Sequence, residues 1–320
     1  MSAKRSESPH PALQPNADEL QRLLAGDHYD PHQILGAHPA EVEGEAAVVV
    51  RAYHPEAEAV ACLQPEGGET EMKALGQGLF ASFIKGASLP LSYRLRFSFS
   101  DGESWERGDP YRFPPTVGEM DRHLFSEGSH RQLWKVLGAN RREVQGVEGT
   151  AFAVWAPNAR RVSVVGDFCR WDGRLFPMRS LGASGIFELF IPYLEPGVLY
   201  KFEIKTADGD IRLKTDPYAR AMEKPPSTAS RVYTSSYRWN DGKWMESRAK
   251  QVPAQEPLSI YEVHLGSWAR VPEEGDRFLT YREAADKLVE HMKRFNFTHL
   301  ELLPISEHPF AGSWGYQVSG

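Results

Sequence analysis

The chain repeats itself, and that constrains its architecture more than any local propensity. Leu35-Gly36-Ala37 recurs as Leu137-Gly138-Ala139, an offset of 102. The same offset aligns Ala52-Tyr53-His54-Pro55 with Val154-Trp155-Ala156-Pro157, and Val60 with Val162. Further along the offset becomes 107: Gly78 and Phe80 recur as Gly185 and Phe187, Tyr93 as Tyr200, Asp101-Gly102 as Asp208-Gly209, and Asp109-Pro110-Tyr111 as Asp216-Pro217-Tyr218. Two tandem copies of one module follow, because a repeated sequence must satisfy the same packing twice.

Within each copy the hydrophobic period is two. Tyr93, Leu95, Phe97 and Phe99 alternate with polar residues, as do Tyr200, Phe202 and Ile204, which marks half-buried antiparallel strands. Each strand runs into Asp-Gly, a hairpin signal. Short strands at regular spacing predict an immunoglobulin-like β-sandwich of about 100 residues, placed at residues 29–115 and again at 130–235. Asn16 can cap a short helix over 16–28 that carries Leu20, Leu23 and Leu24 and ends at Gly26. Residues 1–15 read as a disordered tail, 116–129 and 236–257 as linkers. Trp155, in phase with strand residues, is expected in the core.

The change of offset puts five extra residues between Val162 and Gly185, around Val165-Gly166-Asp167-Phe168-Cys169-Arg170-Trp171-Asp172-Gly173-Arg174. Aromatic faces beside carboxylates and turn glycines suit stacking on sugar rings. Trp171, and less so Phe168, are therefore candidate glycan contacts, the alternative being that both simply close the sandwich edge.

From about Pro257 the period changes. A strand over Ser259–His264, a helix over Tyr281–Phe295 opened by the capping box Thr280-Tyr281-Arg282-Glu283, and a strand over Thr298–Leu303 make one βαβ crossover. Ile260, Leu300, Leu302 and Leu303 are apolar enough for burial on both faces of a sheet. A (β/α)8 barrel needs roughly 250 residues, so residues 258–320 would supply only its first βαβ unit. The fold class is then mainly β followed by α/β: two tandem immunoglobulin-like β-sandwiches and the start of an incomplete (β/α)8 barrel.

The net charge of −6 and pI near 6.0 offer no footprint for nucleic acid or an anionic membrane, and no stretch is apolar enough to span a bilayer. The amino terminus has no apolar signal region. Cys62, read as a core thiol, and Cys169, read as a loop thiol, are too far apart in the repeat to suggest a disulfide, which points to a reducing cytoplasm. His28, His32 and His38 lack the cysteine or carboxylate that would complete a zinc set; no metal or cofactor is expected. Glu262, His264 and Glu301 lie on the two barrel-type strands, where a carboxylate pair could do acid/base work, although paired polar residues in such strands are more often structural. A phosphate loop, a nucleophile elbow and a CxxC pair are all missing from the sequence.

The chain resembles the amino-terminal part of bacterial 1,4-α-glucan (glycogen) branching enzymes of the α-amylase superfamily. The resemblance rests on Asp30-Pro31-His32 with Leu35-Gly36-Ala37-His38, on Phe152-Ala153-Val154-Trp155-Ala156-Pro157, on the Asp167-Phe168 and Trp171-Asp172-Gly173 loop, on Tyr261-Glu262-Val263-His264-Leu265-Gly266-Ser267-Trp268, and on Glu307-His308-Pro309-Phe310 leading to Trp314-Gly315-Tyr316-Gln317. Cys169 and Phe176 depart from the asparagine and histidine that such enzymes carry there.

The resemblance implies a retaining transglycosylase that opens an α-1,4 bond through a covalent glycosyl-enzyme and passes the chain to a glucan 6-hydroxyl. It implies that the nucleophile and acid/base lie on later barrel strands, beyond Gly320, so that this chain alone would be inactive. It also implies that Tyr316 stacks on substrate and that the partner is α-1,4-glucan or glycogen; the protein is expected to be a monomer in the cytoplasm. A non-catalytic glucan-binding protein and a fragment of a debranching or trehalose-forming relative are the competing readings.

Overall fold

The computed structural model of the chain describes residues 10–65 and 67–319. They form two compact units, one running through Ala221 and including Ala229–Tyr233, the other made of Met222–Thr228 and the chain from Thr234 onward.

The first unit holds both copies of the repeat. Its first copy opens with helix α1 (Ala17–Leu24), whose first free amides are capped by the Asn16 side chain, which accepts from Asp18 N at 2.9 Å and Glu19 N at 3.3 Å. Seven strands follow, β1 (Gly36–Val42), β2 (Glu45–Tyr53), β3 (Ala59–Leu63), β4 (Glu69–Gly76), β5 (Leu79–Lys85), β6 (Arg94–Ser98) and β7 (Ser104–Gly108). They pair antiparallel in the order β1-β2-β5-β4-β3-β6-β7. Strand β4 joins the two halves: its first residues pair with β3 and its last with β5. The expected pair of facing sheets is thus one sheet folded over on itself, with Val50, Cys62, Phe80, Leu95 and Phe97 between the halves.

The second copy repeats this plan with helix α2 (Glu119–Ser126) and strands β8 (Gly138–Val144), β9 (Val147–Trp155), β10 (Ala159–Gly166), β11 (Arg179–Ser180), β12 (Ile186–Pro192), β13 (Leu199–Thr206) and β14 (Ile211–Lys214), with a short β15 (Ser230–Arg231) beside β13. Here β11 is too short to bridge, and two separate sheets result, β11-β12-β9-β8 and β10-β13-β14. The first copy's β3–β4 pairing is reduced here to a single bridge, Ser163 with Pro177, flanked by Met178 N donating to Val162 O at 2.8 Å and Val164 N to Phe176 O at 3.1 Å, after the longer loop that begins at Asp167.

The correspondence is close in detail. Helices α1 and α2, strands β1 and β8, and strands β2 and β9 begin and end 102 residues apart. His28 sits 2.6 Å from the Glu19 carboxylate, and His130 sits 3.0 Å from that of Asp121, the same two positions in each copy. Tyr93 donates to Asp109 at 2.5 Å, and Tyr200 to Asp216 at 2.6 Å. The repeated Leu-Gly-Ala and Asp-Pro-Tyr motifs prove to be one contact. Gly36 and Gly138, at φ +93° and +89°, lie against Tyr111 and Tyr218, where a Cβ would collide in the first copy and be tightly crowded in the second.

Two expected segment assignments are corrected. Residues 116–129 are not a plain linker but contain α2, the repeat of α1; its weak apolar pattern hides it, since none of its residues is fully buried. Part of the expected disordered tail is ordered: Leu13 is buried, and the Arg51 guanidinium donates to the carbonyls of Leu13 at 2.8 Å and Ala12 at 3.0 Å. The rest of that tail, residues 1–9, lies outside the described residues. The two copies share a core in which Leu23, Ile34, Leu79 and Tyr111 of the first meet Phe152, Val164 and Phe202 of the second.

The second unit begins with an exposed stretch containing helix α3 (Gly242–Arg248). Strand β16 (Ile260–Val263) pairs parallel with the last strand, β19 (His299–Leu302). Between them lie a single turn α4 (Leu265–Trp268), a small ribbon of β17 (Arg270–Val271) and β18 (Arg277–Phe278), and helix α5 (Tyr281–Phe295). Thr280 and Glu283 form the expected capping box at α5, and Asn296 closes it in the left-handed conformation. The expected burial of the strands on both faces is not found. Ile260, Leu300 and Leu302 remain 54%, 36% and 39% exposed, because two strands and one helix cover only one side.

Candidate functional site

The second copy ends β9 with an exposed aromatic. Ala151, Ala153 and Trp155 share one face of the strand. The first two are covered, but Trp155 stands at the rim of that layer and is 55% exposed, with the Phe125 ring of α2 edge-on at 6.0 Å. The expectation that Trp155 is a core residue is therefore wrong. Periodicity could not reveal this, since β9 is buried on both faces and only its end escapes. Beside the indole lies an open groove of about 450 Å³ lined by Trp155, Asn158, Ile204, Thr206, Asp208 and Arg212. An apolar ring next to amide, hydroxyl, carboxylate and guanidinium groups is the composition that a neutral polyhydroxyl ligand requires.

The loop that carries Phe168 and Trp171 turns sharply. Arg170 and Trp171 take consecutive left-handed conformations, φ +51° and +61°, a geometry that disfavours side chains by roughly 1–2 kcal/mol each. It is held by Trp171 N donating to Gly166 O at 2.9 Å and by the indole Nε1–H donating to Asp167 Oδ1, also at 2.9 Å. Trp171 is 36% exposed. Phe168 turns inward, 5.5 Å from the Phe176 ring and packed on the shared core. Cys169 is a buried thiol rather than the expected loop thiol. Its Sγ lies 3.3 Å from both Gly166 N and Gly166 O, and burial pushes its pKa up. Gly173 sits against the Glu203 carboxylate, which would have to move to admit a Cβ there. Burial works to raise the Asp172 carboxyl, but hydrogen bonds from Arg174 outweigh it and hold the group below the ordinary range.

On its other side the loop meets the first copy. The Arg170 guanidinium lies 4.4 Å from the ring centre of Trp105, and Arg107 of the first copy lies 4.4 Å from that of Phe97 and 4.9 Å from that of Phe176. Two cations are thus exchanged across one interface. Close by, His54 is 3% exposed among Phe97, Phe99 and Trp105, and burial depresses its pKa to about 4.

Tyr316 belongs to the second unit. It follows Trp314 and Gly315, both at positive φ, and its ring is 68% exposed. The loops after β16 and β19 are tied together there. His264 lies 4.9 Å from the Trp314 ring, and its Nε2–H donates to Trp314 O at 3.2 Å. Nδ1, left as the acceptor, receives the Ser267 hydroxyl at 3.1 Å. Glu262 and Glu301 are register partners on adjacent strands, and both are exposed. His28, His32 and His38 make protein contacts, and among the described residues no group of three ligating side chains could hold a metal.

Comparison with known proteins adds two family matches. Residues 16–111 match the N-terminal domain of alpha-1,4-glucan branching enzyme GlgB, and residues 136–219 match carbohydrate-binding module 48, the isoamylase N-terminal domain. Over 315 residues the chain is 49% identical to the 1,4-alpha-glucan branching enzyme GlgB of Rhodococcus jostii (strain RHA1), covering 97% of this chain and 41% of that protein. It is 46% identical over 314 residues to the same enzyme of Leifsonia xyli subsp. xyli, with 97% and 42% covered, and 48% identical over 305 residues to that of Myxococcus xanthus, with 94% and 41% covered. The chain therefore spans about two fifths of the length of the curated relatives it matches.

Proposed function

The chain belongs, as its amino-terminal part, to the GlgB family of 1,4-α-glucan branching enzymes, and on that premise we propose that its second module holds α-glucan for a branching reaction. The observation that carries this reading is Trp155, a large apolar ring held in water at the mouth of a polar groove inside the carbohydrate-binding-module match. Burying such a ring under a sugar removes apolar area from water, while Asn158, Thr206, Asp208 and Arg212 can replace the sugar's hydrogen bonds to solvent. Trp171 and Phe168 are secondary contacts in this proposal, Phe168 the weaker because its ring packs inward.

The reaction proposed for the complete enzyme is cleavage of an α-1,4 bond with retention and transfer to a 6-hydroxyl, making α-1,6 branches. The parallel pair β16 and β19 with α5 between them supports reading residues 258–320 as the first βαβ unit of a (β/α)8 barrel, following sandwiches at 29–115 and 130–235. The carboxylates of the double displacement are placed on barrel strands beyond those present here, and this chain alone is proposed to be inactive. Tyr316, exposed on the loop after β19, is proposed to stack on substrate, since active sites of such barrels lie in the loops that follow the strands. We place the protein in the cytoplasm as a monomer, without nucleic-acid or membrane partners.

Titration calorimetry with maltoheptaose tests the reading. Binding that falls about tenfold in Trp155→Ala, the loss of roughly 1.4 kcal/mol of stacking and burial, supports it. Unchanged affinity in that variant would remove the second module's groove as the site.

A further inference from the structure

The two copies put the same pole of the module to different uses. Tyr53, His54 and Glu56 correspond to Trp155, Ala156 and Asn158 at the first offset, and Phe97, Phe99 and Trp105 to Ile204, Thr206 and Arg212 at the second. In the second copy these residues line the open groove beside Trp155. In the first they form a socket, and the loop from Gly166 to Leu175 fills it. Arg170 covers the Trp105 face, and Arg174 reaches Glu56 Oε1 at 3.5 Å. Cys169 and Leu175 wall off a residual cavity of about 130 Å³.

The lining differs in the direction each use demands. The first pole is aromatic: His54 packs against three rings, its Nδ1 accepting from Glu56 N at 3.2 Å, while Nε2 is buried with no hydrogen-bond partner among the described residues. That suits a protein loop bringing its own cations to stack. The second pole has Ala156 where the first has His54, which frees room, and Thr206 and Arg212 where the first has Phe99 and Trp105, which supplies hydrogen bonds. We infer that the Gly166–Leu175 loop occupies the first module's version of the ligand pole. The first module is thereby committed to holding the second, and of the two equivalent poles only the second is left open to α-glucan. Arg170 and Arg174 are the residues that keep the first pole closed. This rests on the proposed glucan reading for the second pole, while closure of the first stands on contacts within the protein.

Hydrogen exchange read by mass spectrometry tests both halves. In the intact chain, maltoheptaose is expected to slow exchange at residues 155–159 and 206–212 and to leave 53–56 and 97–105 unchanged. In the double variant Arg170→Ala/Arg174→Ala, both side chains being exposed, exchange at 53–56 is expected to rise at least tenfold with or without sugar. Sugar-induced protection at 53–56 in the intact chain, or unchanged exchange there in the double variant, overturns the inference. If maltoheptaose protects neither pole, the glucan reading of the second pole fails, and the double variant still decides whether the loop seals the first.

Discussion

Arg179 and Glu188 face each other as register partners on β11 and β12, joined by an ion pair from which water is almost entirely excluded. Each has a second tie. Arg179 also donates to Phe113 O at 2.7 Å, and Glu188 accepts from Thr116 N at 2.8 Å and the Thr116 hydroxyl at 2.6 Å. The segment connecting the copies is thus pinned to the second module by a buried carboxylate and its partner cation.

Glu188→Ala should accordingly cost about 3–5 kcal/mol, because it strands a buried guanidinium. Replacing both partners by apolar residues, as in Glu188→Leu/Arg179→Met, should cost less than the single change. Urea unfolding midpoints check the order. A single variant as stable as the wild type would mean the pair contributes nothing net.

Burial raises Asp216 to about 6, against the hydrogen bonds from Tyr200 and Tyr218 that favour its charged form. A carboxyl whose folded pKa lies above its unfolded value binds more protons when folded, so its contribution falls as pH rises from about 4 through 6, by an amount on the order of 3 kcal/mol. Asp216→Asn cannot titrate. Between pH 4 and 6 its stability is expected to decline less, or rise more, with pH than that of the wild type in a urea series; parallel curves would contradict this.

His54 has the opposite sign. With its folded pKa depressed to about 4, the stability it contributes is full above pH 6.5 and is lost as pH falls toward 4. His54→Gln should remove part of this acid sensitivity, seen as a smaller drop in unfolding temperature between pH 7 and 4.5. An undiminished drop would show that the ring is not what titrates in that window.

In the second unit a groove of about 990 Å³ runs along α5 and β19, lined by apolar side chains including Leu288, Val289, Met292, Leu300 and Leu302, with Trp244 at its edge. Exposed apolar area of this kind binds dyes and promotes association. Val289→Lys/Leu302→Glu, at positions 52% and 39% exposed, should lower 1-anilinonaphthalene-8-sulfonate fluorescence at least twofold with little loss of stability. Unchanged dye binding would place the sticky surface elsewhere.

Much of this was legible in the residues because it depends on short-range rules. Alternation fixes which side of β6 and β13 is buried, Thr280 and Glu283 cap α5 within one turn, and a duplicated motif pair forces duplicated strands. The helix α2 escaped notice because its burial is partial, and its identity shows only through its position, 102 residues after α1. The environment of Trp155 depended on where β9 outruns its cover. Cys169 turned inward because the loop around it closes on another module.

The sequence by itself thus determined the two copies, their alternating strands and the crossover that follows them, since local periodicity and self-similarity encode these, whereas the order in which the strands pair did not follow from it. Only the tertiary structure decided that one pole is sealed by Arg170 and Arg174 while its repeat stays open at Trp155. Exposure at the end of a strand is set by residues more than a hundred positions away, and no local pattern records which of them arrive.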